Sequence, residues 1–319
     1  MVSGLLAGLL WGLDTVILGV ALVMTPFFST EQAIFLAPFV STFLHDISSS
    51  IWMLIYMGIK KEYSKIIRAL KTRSGKFIIL AALLGGPIGM TGYVLAINNI
   101  GPSYTAIISS MFPAVGALLS FIFLKEKMRW YQILGLLVSI GGVIALSYSP
   151  GGEVTNLGIG LVGALMCVFG WSIEAVICAY GLRDPNISDE QALQIRQLTS
   201  ALFYAIILLP ILSGWPFTVE IAGSLKDLSF SASSIFGNPM LVIIISALFG
   251  TASYVFYYKA IVKIGASKSM ALNITYSAWA ILFSFMLLKT TPSVMSIICA
   301  LIVMAGSIVA STKDLYPNK

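Results

Sequence analysis

Ten apolar stretches run through this sequence, at about 3–24, 32–58, 77–97, 103–124, 130–148, 157–180, 189–213, 241–261, 268–288 and 293–311. Each is close to the ~20 residues that an α-helix needs to cross a bilayer. Charged residues make up only 10% of the 319-residue chain, where soluble domains carry about 25%. The chain therefore reads as an all-α membrane protein of ten transmembrane helices, with the lipid bilayer as its first partner. The start, Met-Val-Ser-Gly, has no basic segment and its first apolar run carries Asp14. Both features argue against a cleaved signal peptide.

The net charge of +6 raises nucleic acid as a partner, but the placement of the basic residues answers it. Lys60, Lys61, Lys65, Arg68, Lys71, Arg73 and Lys76 fall in the 59–76 connection. Lys125, Lys127, Arg129, Arg183, Lys259, Lys263, Lys268, Lys313 and Lys319 fall on the same side if the runs alternate in direction. The opposite loops hold only Lys226 and Lys289. Such asymmetry sets orientation, with both termini cytoplasmic, and no nucleic-acid partner is expected. Cys167, Cys178 and Cys299 sit in apolar runs without motif spacing and read as reduced packing residues.

The two halves resemble each other. Ala96-Ile-Asn-Asn-Ile-Gly-Pro-Ser103 matches Ala260-Ile-Val-Lys-Ile-Gly-Ala-Ser267, and Leu119-Ser-Phe-Ile-Phe-Leu-Lys125 matches Phe283-Ser-Phe-Met-Leu-Leu-Lys289. Trp11-Gly-Leu-Asp14 matches Trp171-Ser-Ile-Glu174. The repeat is five runs long, 1–150 and 151–319. Because five is odd, the second copy is inverted. Inverted repeats place a shared site near the bilayer midplane and rock about it.

Within the run 157–180, Trp171 and Glu174 share one helical face. A carboxylate at the bilayer centre costs at least roughly 2.5–3.5 kcal/mol. An aromatic wall beside a buried negative charge is what a desolvated organic cation requires. Trp11, Tyr93, Tyr254, Tyr257 or Tyr258, Tyr276 and Trp279 also lie inside runs rather than at the ends, where interfacial aromatics belong. Trp130, Tyr131, Tyr148 and Trp215 fit that interfacial belt, and Trp52 and Tyr56 fit it less well. Rings recurring on one face also serve plain packing.

The intramembrane ionisable groups are Asp14, His45, Asp46, Glu174 and Arg196, a set suited to proton coupling or a charge network. Glu174 has two roles open to it: counter-ion to a substrate, or half of a salt bridge with Arg196, which Glu190 is also placed to serve. His45 aligns with Arg196 in the repeat and is placed to orient Asp14 or Glu174, or to bond a neighbouring helix. Adjacent on a helix, His45 and Asp46 point about 100° apart and are not expected to face one ligand. Gly4, Gly8 and Gly12 form a small-residue packing stripe. Gly85-Gly-Pro-Ile-Gly89, Gly92 and Pro113 suggest bent, hinging helices. Ser229–Phe236 reads as an interfacial loop. No enzyme, metal or cofactor signature is present: one histidine builds no His-rich site, and no P-loop or nucleophile elbow occurs.

Ten runs in two inverted halves, each with an interior Trp and an Ala-Ile-x-x-Ile-Gly turn, resemble the drug/metabolite transporter superfamily of EamA type. Leu10-Trp-Gly, His45-Asp46, Gly86-Pro-Ile-Gly-Met90, Trp171-Ser-Ile-Glu174, Ile195-Arg-Gln197, Ala260-Ile and Leu272-Asn-Ile-Thr-Tyr276 with Trp279 are similar to the LicB-type bacterial choline transporters. That resemblance implies alternating-access import of choline or a similar quaternary ammonium across the bacterial cytoplasmic membrane. Choline's head has no N–H to donate, so the rings carry its binding. Asn273, Ser253 and Thr275 are candidates for its hydroxyl. The rivals are an exporter of amino acids or amphipathic drugs on the same fold, and a non-transporting sensor, scaffold or lipid-modifying enzyme.

Overall fold

The computed structural model describes residues 1–147, 156–184, 186–227 and 237–312, with only the backbone path given for Pro102 and Ser103. Among them every regular element is helical. Ten helices are long and apolar enough to span a bilayer: α1 (Val2–Leu22), α2 (Glu31–Ile59), α4 (Arg73–Gly101), α5 (Tyr104–Leu124), α6 (Trp130–Ser147), α7 (Leu157–Gly181), α8 (Asp189–Ile211), α10 (Pro239–Ile264), α11 (Ala266–Leu288) and α12 (Val294–Ser311). Two short helices lie between them, α3 (Tyr63–Leu70) and α9 (Trp215–Gly223). Both fall where the sequence reads as loop, because each is too short to register as a span. Tyr148, Ser229–Phe236, Lys313 and Lys319 lie outside the described residues.

The helices start where polar side chains cap them. Thr30, Asn156, Asn238 and Ser293 each accept a backbone N–H from their own first turn, and Ser188 forms a reciprocal capping box with Gln191. These caps satisfy donors that neither lipid nor the helix itself would. Between α4 and α5 the chain turns at Gly101 (φ 76°, ψ 163°), and between α10 and α11 at Gly265 (φ 86°, ψ 164°). Both are regions that glycine alone enters freely. Lys125 and Lys289 end α5 and α11 in near-identical left-handed conformations (φ 60°, ψ 24° and φ 57°, ψ 22°).

Packing follows small residues. The Gly4-Gly8-Gly12 stripe of α1 lies against α11, where a Cβ on Gly12 would sit 2.7 Å from Trp279 Cβ and 2.8 Å from Tyr276 O. A Cβ on Gly163 of α7 would meet Ala96 N of α4 at 2.9 Å, and one on Gly135 of α6 would meet Ala310 N of α12 at 2.7 Å. Without a hydrophobic drive between helices in lipid, such close approach is the main source of association. Leu161, Val162, Leu165 and Phe169 of α7 and Leu118, Phe121 and Ile122 of α5 are exposed, as an outward face toward acyl chains should be.

The hinging expected of Gly85–Gly89 has a concrete form. Leu84–Ile88 make a π-helical turn within α4, with Pro87 inside it. Pro113 sits just after a break in α5 at Ser110 and Met111. Further π turns lie in α5 at Ser120–Leu124 and in α8 at Tyr204–Leu208. The three cysteines are buried and unpaired.

Candidate functional site

At the centre of the bundle is a cavity of about 160 Å³. Its lining comes from α1, α2, α4, α5, α7, α8, α10 and α11, leaving α6 and α12 outside. Trp11, Trp171, Tyr254, Tyr257, Tyr258 and Phe112 supply rings, and Asp14, His45, Asp46, Glu174 and Arg196 supply charge. All five charged or titratable side chains the sequence marks inside the spans therefore converge on one space.

They form a line of alternating sign. His45 Nε2 lies 3.1 Å from Asp14 Oδ1, and His45 Nδ1 lies 3.7 Å from Asp46 Oδ1. Arg196 Nη1 is 3.6 Å from the same Asp46 oxygen, and Arg196 Nε donates to Glu174 Oε1 at 2.8 Å. All five are buried, none more than 9% exposed. Isolated, each would be prohibitively costly in this setting, and pairing is what makes them tolerable. Three carboxylates face one guanidinium and one imidazole. The set is one negative charge in excess when His45 is protonated and two when it is neutral.

Further polar groups fix the line in place. Ser246 donates to both the carbonyl and the carboxylate of Asp14. Arg196 Nη1 donates to Gln197 Oε1 at 2.6 Å, Gln197 Nε2 to Ser49 Oγ at 2.7 Å, and Ser49 pairs with Thr251 at 2.7 Å. Glycines open the necessary room. A Cβ on Gly85 would collide with the Glu174 carboxylate. One on Gly250 would lie 2.8 Å from Asp14 Oδ2 and 2.7 Å from His45 Nε2.

The rings are placed in two layers. Trp171 borders the cavity, donates its indole N–H to Gly85 O at 3.1 Å, and packs on Tyr93 at 5.6 Å and Phe112 at 5.8 Å. Gly85 O is open to it because Gly89 N–H, across the π turn, bonds Leu84 O and Gly86 O instead. Trp11 borders the cavity on the other side, stacked on Tyr276 at 4.4 Å. Tyr93 and Tyr276 thus stand behind the tryptophans, outside the cavity lining. Trp279 packs against Gly12 on the α1–α11 contact and does not reach the cavity. Tyr254 lines the cavity, but its ring face carries Arg196 Cζ at 4.7 Å.

Several expectations change. Glu174 is half of a salt bridge to Arg196. Glu190 does not serve that arginine; it pairs with Lys60 at 2.9 Å, out at the helix ends. His45 and Asp46 do border one cavity: Asp46 Oδ1 lies 3.7 Å from His45 Nδ1 and 3.6 Å from Arg196 Nη1, drawing the two side chains to the same space. Thr275 is fully buried with its hydroxyl donated to Leu272 O, and Ser253 Oγ donates to Ala7 O. That leaves Asn273, which lines the cavity and whose Oδ1 is buried without a partner. The Trp52 indole donates to Ile244 O and ties α2 to α10. Phe112, Ser246 and the linking role of Gln197 were not legible beforehand. Phe112 lies beside Pro113 at a helix break, and serine and glutamine give no periodic signal.

Eight helices closing around a cavity lined by aromatic rings and ionisable side chains, inside an apolar shell, make a multi-span membrane fold with an internal site. The profile of the EamA-like transporter family matches residues 1–148 and 158–312, and the chain belongs to that family. It is 38% identical over 230 residues to protein LicB of Haemophilus influenzae, covering 72% of this chain and 73% of that one. A crystal structure of another protein superposes with a TM-score of 0.68 at 16% identity, over 97% of this chain and 96% of that one. That likeness is one of fold.

Proposed function

We propose that this transporter imports choline or a similar quaternary ammonium by alternating access across the bacterial cytoplasmic membrane, with both termini cytoplasmic. The observation that carries the reading is the cavity's chemistry: tryptophan and tyrosine faces around a charge line with surplus carboxylate. A fixed organic cation supplies the missing positive charge. Trp11, Trp171 and Tyr257 each offer roughly 0.5–2 kcal/mol to it, more as water is excluded. The volume suits such a ligand, since a 150 Å³ cavity admits benzene and choline has only one heavy atom more. Asn273 Oδ1 accepts the choline hydroxyl, satisfying an otherwise unpaired buried acceptor. The resemblance to the LicB-type choline transporters points to the same ligand.

The halves 1–150 and 151–319 act as inverted five-helix repeats. Supporting this, Gly101 with Gly265 and Lys125 with Lys289 share backbone geometry at one constant spacing. The helix pairings also correspond, α4 with α7 and α10 with α1. The Asp14–His45 and Glu174–Arg196 pairs then occupy equivalent places in the two halves. Inward movement of the cation is assisted by the membrane potential, about 2.3 kcal/mol per 100 mV. A substrate cation and a proton compete for the same surplus charge, so proton coupling through Asp14 and His45 would take the form of exchange.

An exporter of zwitterionic amino acids would need a free cationic anchor, and Arg196 and His45 both already face carboxylates. Uptake of radiolabelled choline into proteoliposomes tests the proposal. Wild-type protein should accumulate it under an inside-negative potential, with sharp loss in Trp171→Ala and Glu174→Gln. Uptake unchanged in both variants would remove the site assignment. Thermal stabilisation by amino acids but not by choline would favour the exporter.

A further inference from the structure

The short helix α3 and the basic residues around it have no part in the cavity. It is tethered by Lys60–Glu62 to α2 and by Lys71–Thr72 to α4. Connectivity therefore holds it at the end of two spanning helices, where the bilayer meets water. Its faces divide three ways. Ile66 and Ala69 are buried against the bundle. Tyr63 and Ile67, four residues apart on a neighbouring face, are 51% and 58% exposed. Lys65 and Arg68 lie on the third face, exposed, with Lys61, Lys71, Arg73 and Lys76 exposed alongside. The one carboxylate of the segment, Glu62, is 2.6 Å from Lys65 Nζ. Orientation alone requires cationic side chains here. It requires neither an exposed apolar pair beside them nor a recess.

A recess is present. Lys65, Arg68, Ala69 and Thr72 border an open hollow of about 350 Å³, closed on its far side by Asn186 and Gln191 from the α7–α8 connection and α8. Two cationic side chains on one edge of the hollow match a phosphodiester, and the apolar pair next to it matches the acyl chains below. The Thr72 hydroxyl is engaged with Ala69 O, and the Asn186 amide donates to Asp184 Oδ1. We propose that α3 and this hollow bind the headgroup of an anionic phospholipid, with Tyr63 and Ile67 entering the interface. Helices with separate apolar and basic faces lie in the membrane plane in this manner. A basic side chain near an anionic surface contributes about fivefold in affinity. The site is independent of what the central cavity carries.

The test is lipid titration of the full-length purified protein in detergent, read as bound lipid by native mass spectrometry. Phosphatidylglycerol, phosphatidylcholine, glycerol 3-phosphate and inorganic phosphate are the probes. Phosphatidylglycerol should bind the wild type, and Lys65→Gln with Arg68→Gln should weaken it roughly 30-fold. Lys65→Arg with Arg68→Lys should restore it, which separates charge from folding. Ile67→Ser should weaken the lipid without touching the cationic face. Equal binding of phosphatidylcholine, or an unchanged affinity in the double glutamine variant, would overturn the proposal. So would glycerol 3-phosphate or phosphate binding as tightly as the lipid, which would mark a soluble-anion site instead.

Discussion

Replacing Arg196 by methionine removes the cation that bridges Glu174 and Asp46 in the charge line. Its guanidinium serves Glu174 at 2.8 Å and Asp46 at 3.6 Å, donates to Gln197 at 2.6 Å and lies over Tyr254 at 4.7 Å. Methionine keeps much of the volume, leaves Glu174 without its counter-charge and leaves Asp46 with His45 Nδ1 at 3.7 Å. Removing one partner of a buried pair costs about 3–5 kcal/mol, and stranding Glu174 while also taking one of two cations from Asp46 puts Arg196→Met at the upper end. Glu174→Gln should cost less, at most about 1.5–3 kcal/mol for a hydrogen bond to charge, because Arg196 keeps Asp46, Gln197 and the Tyr254 ring. The double variant should be more stable than Arg196→Met alone, since one stranded charge is gone. Reversible unfolding in mixed micelles, followed by circular dichroism, ranks the three. Arg196→Met proving no worse than Glu174→Gln, or the double variant proving worse than Arg196→Met, would refute the pairing scheme.

Gly85→Ala and Gly250→Ala push a methyl into Glu174 and into the Asp14–His45 contact respectively. Both should lower folded yield and uptake, while Gly19→Ala, with open space around it, should leave both unchanged in the same expression and transport assays. Tyr93→Phe and Tyr276→Phe keep the rings behind the tryptophans, so choline affinity by calorimetry should move less than about threefold, well under the 1.4 kcal/mol of a tenfold change. Trp171→Ala should instead cost roughly tenfold or more, a lost ring face in a desolvated site. Asn273→Leu should reduce affinity for choline but not for tetramethylammonium, which has no hydroxyl. Equal losses for both ligands would remove Asn273 from hydroxyl recognition.

The spanning helices were legible because lipid imposes a single criterion, a long apolar run, and each one satisfies it. The ionisable members of the site were legible for the complementary reason: Asp14, His45, Asp46, Glu174 and Arg196 break that criterion, and a group so costly needs a purpose. Aromatic residues carry less information. Trp11 and Trp171 reach the cavity while Tyr93, Tyr276 and Trp279 do not. Nothing in an apolar run separates a ring in the lining from one a layer behind. Pair choice was equally hidden. Glu190 and Glu174 both lie within reach of Arg196 along the sequence, and only the turn between α7 and α8 sends Glu190 out to Lys60. The helix α3 escaped because eight residues cannot span a bilayer, and its charges drew attention to orientation instead.

The central claim is that the cavity recognises a cation through ring faces rather than N–H donors. A pair of binding isotherms on the purified protein, for choline and for ethanolamine, tests it most directly. Choline should bind at least about tenfold more tightly, the ~1.4 kcal/mol within reach of ring faces around a trimethylammonium. Ethanolamine binding as tightly as choline, or neither binding at all, would contradict the account.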